Sequence, residues 1–162
     1  MMERHICRLI KVTNTAGKKL KEGTDYKIKK PSGRKNAGIY TVTIEMKGDY
    51  TGKYRKTFQI IPKGTAISGV KAKKKAFSVS WKKQAKQTSG YQIQYAVDAK
   101  FKKSVVTKNV NNTKKVKLDV TKLKAKKKYY IRVRTYKTVK MNGKSKKIYS
   151  GWSKVKAVTT KK

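Results

Sequence analysis

Tyr129-Tyr130-Ile131-Arg132-Val133-Arg134-Thr135 alternates strictly between apolar and polar positions. Side chains of an extended chain point to opposite faces in turn, so Tyr129, Ile131 and Val133 share one face. Tyr130, Arg132 and Arg134 share the other. Such a segment is a half-buried β-strand with a dry side and a wet side. The same pattern recurs upstream. Tyr91-Gln92-Ile93-Gln94-Tyr95 sets Tyr91, Ile93 and Tyr95 against two glutamines, and Ala76-Phe77-Ser78-Val79-Ser80-Trp81 groups Phe77, Val79 and Trp81. Lys115-Val116-Lys117-Leu118-Asp119-Val120 alternates in the same way. No stretch repeats with helical period. Short alternating strands separated by Gly-, Asn- or Lys-rich turns predict an all-β sandwich.

Nearer the N-terminus, Lys27-Ile28, Ile39-Tyr40-Thr41-Val42-Thr43-Ile44 and Thr57-Phe58-Gln59-Ile60-Ile61 read as three more strands. Gly48-Asp49-Tyr50-Thr51-Gly52 reads as the turn between the last two. Pro62 cannot donate to a strand ladder, so the domain junction is expected at 62–65. This gives a smaller β domain over 1–62 and a larger one over 63–162.

Charge changes at the same place. The 162-residue chain carries 46 basic and 7 acidic residues, a net +39. Residues 1–62 hold 15 basic and 5 acidic, net +10, and residues 63–162 hold 31 basic and 2 acidic, net +29. A field of that size attracts polyanions and repels further copies of the chain, so a monomer is expected. Only 36% of residues are hydrophobic, which limits the core but leaves enough periodic apolar positions to build one. No apolar run approaches the roughly 18–20 residues that cross a bilayer, so no membrane insertion is expected. Glu3, Arg4, His5 and Arg8 interrupt the first ten residues, which leaves no signal-peptide segment. The expectation is either a cytoplasmic chain or a piece of a longer protein. Cys7 is the only cysteine, which rules out an intramolecular disulfide and a cysteine metal cluster.

From Thr65 onward the sequence resembles a fibronectin type III domain. The residues that carry the likeness are Trp81 in Ser78-Val79-Ser80-Trp81, the stretch Gly90-Tyr91-Gln92-Ile93-Gln94-Tyr95, Leu123 followed by Tyr129, and Tyr149-Ser150-Gly151-Trp152-Ser153. The resemblance implies an Ig-like sandwich in which Leu123 and Tyr129 form a tyrosine corner, the hydroxyl bonding nearby backbone. Ala125-Lys126-Lys127 replaces the family's usual Pro-Gly-Thr turn and should cost turn rigidity. The Lys-rich style is similar to modules of Gram-positive surface and secreted proteins. Residues 18–62, through Gly23-Thr24-Asp25-Tyr26, Asn36-Ala37-Gly38-Ile39 and Gly48-Asp49-Tyr50, resemble the Ig-like repeats that precede such modules. The stretch lacks a first strand, so an open sheet edge is expected there. The likeness implies an extracellular or cell-surface location within a longer, signal-bearing protein.

Catalysis finds little material. His5 is the single histidine and lies beside Cys7, but a Cys–His dyad needs a packed site rather than a chain terminus. The carboxylates are Glu3, Glu22, Asp25, Glu45, Asp49, Asp98 and Asp119, and no two share general acid–base spacing. Asp49 suits a turn, and Asp119 sits on a wet strand face among lysines. No phosphate loop, metal-ligand spacing or nucleophile elbow occurs, so no catalytic residue, cofactor or metal site is expected.

A basic and aromatic cluster is more informative. Tyr130, Arg132, Arg134 and Tyr136 lie on the outward face of one strand, and Tyr149 and Trp152 lead into its neighbour. The set resembles the tryptophan–serine box of cytokine-receptor modules, where arginine and tryptophan stack alternately. Guanidinium planes stack well on indole, so two roles stand open: a ladder that stiffens the sheet, or a ligand platform for a polyanion or sugar. The reading that follows is a spacer or adhesion module attached electrostatically to anionic cell-wall polymers or other surface domains. The alternative is a basic protein binding nucleic acid without sequence preference. Against it, only 6 of the 46 basic residues are arginine, the residue that reads bases bidentately, and no nucleic-acid motif is present.

Overall fold

The computed structural model describes residues 10–162; His5, Cys7 and Glu3 therefore lie outside the described residues. The chain divides into one unit ending at Ile60 and a second covering Ile61–Lys162.

In the first unit, β1 (Tyr26–Lys29), β2 (Gly38–Met46) and β3 (Lys53–Ile60) form an antiparallel sheet in that order. Register pairs Ile28 with Ile44 and Tyr40 with Phe58. Leu20, Tyr26, Ile28, Val42 and Ile44 make its core, with Ile10, Val12 and Phe58 packed against it. The turn at Gly48-Asp49 falls between β2 and β3. β3 is an edge strand and almost wholly exposed.

The second unit is a β-sandwich. One sheet has the order β4 (Ile67–Lys73), β5 (Ala76–Trp81), β8 (Lys117–Val120). The other orders β10 (Lys144–Tyr149), β9 (Lys128–Met141), β6 (Gly90–Ala96) and β7 (Val106–Val110), with β11 (Lys156–Thr159) also on β9. The dry faces read from alternation meet in one core: Phe77, Val79 and Trp81 from one sheet, Tyr91, Ile93, Ile131 and Val133 from the other. Aromatic rings fill it in contact, Trp81 on Tyr91 at 5.3 Å and Phe77 edge-on to Tyr95 at 5.6 Å. Offset and edge-on rings of this kind are the favoured geometries.

At the corner between β8 and β9, the Lys124 N–H donates to the Tyr129 hydroxyl at 3.3 Å, and Leu123 packs on the core. Lys126 occupies the turn at φ 49°, a left-handed conformation that glycine adopts without cost. Ala125-Lys126-Lys127 thus places a lysine where glycine would avoid the strain of a left-handed conformation.

One expectation is corrected. The glutamine face of β6 is not simply wet, because Gln92 is buried and Gln94 half-buried. Both amides are covered and hydrogen-bonded by the arginines of β9, which strand alternation alone does not reveal.

Candidate functional site

Cross-strand register builds the site. On the outward face of the larger sheet, Gln92 lies opposite Arg134 and Gln94 opposite Arg132; on the other side, Gln92 faces Asn109 and Gln94 faces Thr107. Each amide bridges its row. Gln92 Oε1 accepts from Arg134 Nε at 2.9 Å and Nη2 at 2.6 Å, while its Nε2 donates to Asn109 at 3.1 Å. Gln94 does the same with Arg132 at 3.0 and 2.7 Å and with Thr107 at 3.0 Å. A single carbonyl oxygen taking two guanidinium N–H groups fixes the plane of each arginine.

Those planes then stack. Arg132 Cζ lies 4.1 Å from the Phe101 ring centre and 4.4 Å from that of Trp152. Arg134 lies 4.1 Å from Trp152 on its other side and 3.9 Å from Tyr149. Tyr149 tilts against Tyr136 at 6.0 Å, and Lys147 Nζ sits 4.5 Å over the Tyr136 ring. The result is a ladder of alternating rings and cations running Phe101, Arg132, Trp152, Arg134, Tyr149. Burial pushes both guanidinium groups below their ordinary range; for Arg134 the nearby Tyr149 opposes this and Arg132 adds to it. Among the described residues neither arginine has a carboxylate partner, so the rings and amides supply its stabilisation.

A local irregularity presents Trp152. Tyr149 faces Tyr136 and Lys156 faces Ile131, so seven steps of one edge pass five steps of β9. The surplus loops outward with Trp152 at its crest. Ser150 and Ser153 hold it, each replacing a missing ladder partner. Ser150 donates its N–H to the Thr135 carbonyl and accepts the Thr135 N–H on its hydroxyl, both at 3.1 Å. Ser153 does the same with Val133, at 2.8 and 3.1 Å.

Of the six residues singled out from the sequence, Arg132, Arg134, Tyr149 and Trp152 stack directly. Tyr136 joins through Tyr149 but is itself buried, although it lies on the outward face. Gly90 makes room for it: a Cβ there would come 2.6 Å from the Tyr136 hydroxyl oxygen and 2.2 Å from the Val110 carbonyl. The hydroxyl donates to Asn111 at 2.5 Å. Tyr130 stands apart, with Lys128 Nζ 5.5 Å over its ring. Phe101 was not anticipated. It lies in the loop between β6 and β7 at φ 54°, where no strand period points to it. Asp98 shapes that loop by accepting the N–H groups of Lys100 at 3.0 Å and Lys102 at 2.8 Å, bonds that hold its carboxyl below the usual range.

The remaining described carboxylates with resolved partners serve structure. Asp119 pairs with Lys73 at 2.5 Å, and Glu45 lies between Lys29 and Lys53 at 3.0 and 3.4 Å. Among the described residues no three His, Cys, Asp or Glu side chains converge as metal ligands would.

Residues 62–150 match the family model of the fibronectin type III domain. No curated protein matches the chain. Among solved structures, the chain is similar to the FN1–FN3 domains of chicken CNTN1, with a TM-score of 0.51 and 20% identity over 78% of this chain and 44% of that one. It also matches titin domains A168–A170 with a TM-score of 0.44 and 18% identity, over 90% of this chain and 52% of that one. A beta-1,2-glucanase from Parabacteroides distasonis gives a TM-score of 0.46 and 14% identity, over 76% and 18% respectively. The chain thus spans about half or less of each of these structures. The likeness to the CNTN1 domains shows a shared fold.

Proposed function

Because the chain belongs to the fibronectin type III family, we propose that it is a non-enzymatic spacer or adhesion module of a cell surface, held by its lysines on anionic wall polymers. In this reading residues 1–62 are a partial Ig-like repeat joined to the sandwich, as in Gram-positive surface proteins. The observation that carries it is the division of labour among the cations. The two arginines of the sandwich are committed to the ladder, each stacked between rings and held by a glutamine. Nearly all the other basic side chains of this unit are lysines on exposed positions. Point charges on flexible stems suit a polymer of repeating phosphates without demanding a fixed geometry. The ladder accordingly serves as a stiffener of the sheet. Base reading by nucleic-acid contacts would instead call for free arginines.

Co-sedimentation of the chain with bacterial cell walls, and in parallel with duplex DNA, across a salt series tests the proposal. Saturable wall binding that survives about 0.15 M salt, with DNA binding collapsing as counterion release requires, supports it. Equal loss on both polymers would leave a charge effect and sink the wall-directed role.

A further inference from the structure

The lysines of the sandwich are not spread evenly; they gather at its two ends. Strand direction decides which connections share an end. β5 finishes at Trp81 where β6 begins, since Gly90 faces Tyr136 on β9 and Tyr91 faces Val110 at the close of β7. Hydrogen bonds tie these connections together. The Tyr91 hydroxyl accepts the Gln84 N–H at 2.8 Å and contacts the Thr113 carbonyl at 3.1 Å, and the Thr138 N–H donates to Ser89 at 3.1 Å. Lys82 N–H donates to the Ala66 carbonyl at 2.9 Å. This end therefore comprises 61–66, 82–89, 111–116 and the β9–β10 hairpin 137–148, which together hold 11 lysines and no carboxylate. The hairpin runs past Gly90, the first residue of β6, as a two-stranded ribbon turning at Asn142-Gly143.

The opposite end comprises 74–75, 97–105, 121–127 and 160–162, with 11 lysines and one carboxylate, Asp98. Its parts are also joined. Leu123 N–H donates to the Lys75 carbonyl, Lys75 N–H to Lys161, and Thr160 N–H to Lys127. Asp98 is occupied by backbone N–H groups of its own loop. Between the ends, β5 and β6 carry no charged residue, and the remaining strands and connections hold 7 of the 29 lysines of residues 63–162, against 22 at the ends. A seven-residue strand such as β6 spans about 20 Å, more than twice the roughly 8 Å over which charge is screened at physiological salt. The two lysine caps therefore lie more than one screening length apart.

We infer that the sandwich is bivalent: each end takes its own strand of a phosphate-bearing anionic polymer, so that one molecule bridges two strands. This rests on the reading of the chain as a polyanion-held module and adds to it a crosslinking role. A patch of one sign gathered at one end would hold a single strand; two lysine-dense caps separated by a more sparsely charged middle hold two.

The test uses the full chain and long-chain inorganic polyphosphate, one portion immobilised on beads and a second, fluorescent portion free in solution. Wild-type protein should bind the beads and capture fluorescent polymer on them. One variant carries Gln in place of Lys82, Lys86, Lys114, Lys140, Lys144 and Lys146; another in place of Lys74, Lys102, Lys103, Lys124, Lys127 and Lys162. A third, of equal net charge, takes three replacements from each set. The single-end variants should still bind beads yet lose fluorescent capture at least tenfold, with the mixed variant keeping most of it; matching circular-dichroism melts confirm that all remain folded. Equal loss of capture in all three, or bead binding by wild type without capture, overturns bivalence while leaving attachment intact. Absence of wild-type bead binding overturns the attachment itself and bivalence with it.

Discussion

Two residues show how far a single position reaches in this chain. Trp81 is almost fully buried, touches Tyr91, and leaves its Nε1–H without a partner among the described residues. Its worth lies in the apolar contact of the ring. Trp81→Ala should therefore destabilise the sandwich by about 3–5 kcal/mol, read as a fall in the denaturation midpoint. A variant that melts like wild type would show that the ring is not part of the core. Asp98 acts through two backbone N–H bonds that favour its charged form. Its carboxyl is held below the value of an unfolded chain, so its contribution is present above about pH 4 and fades as pH falls through the folded value. Thermal melts from about pH 5 downward should show declining stability. Asp98→Asn should start lower and decline less steeply. Parallel curves would mean that the acid loss comes from Glu45 and Asp119, which lysines hold low in the same way.

At the scale of elements, the ladder is where strand alternation and loop geometry meet. The outward placement of Arg132 and Arg134 was legible because β9 is a central strand with one face in the core, and burial forces a period of two. β5 and β6 were legible for the same reason. β4, β7 and β10 were not read from the sequence. β7 is exposed at four of its five residues, and β10 at four of six, so no dry face imposes a pattern. β4 is broken by a register shift between Ile67 and Gly69. Phe101 was invisible because its position depends on a loop held by Asp98, and parity alone cannot tell that Tyr130 meets Lys128 while Arg132 and Arg134 meet the rings of the ladder. The coupling between Arg134 and Trp152 is open to a double-mutant cycle. Their stacking at 4.1 Å should give an interaction energy of about 0.5–2 kcal/mol in Arg134→Ala, Trp152→Ala and the double variant. Strictly additive losses would show that the rings and guanidinium groups are neighbours without being partners.

For the whole molecule, the dominant quantity is net charge. With 46 basic residues against 7 acidic and three ion pairs among the described residues, most of the positive charge is uncompensated. Compaction brings like charges together, so the folded state carries a repulsive load that the unfolded chain relieves by expanding. Added salt shortens the screening length from about 30 Å at 0.01 M to about 8 Å at 0.15 M, which is less than the distance between the two lysine-rich ends. Repulsion between the ends should then vanish first, and repulsion within each end should persist until the salt is higher. The melting temperature is accordingly expected to climb steeply across that range of sodium chloride and more gently beyond it. A polyanion should raise it further at the same ionic strength, since binding to the folded state adds to screening. A melting temperature that stays flat or falls between the two salt concentrations would show that the lysines sit far enough apart, on stems flexible enough, for the fold to carry its charge without strain, and the need for an anionic neighbour would disappear.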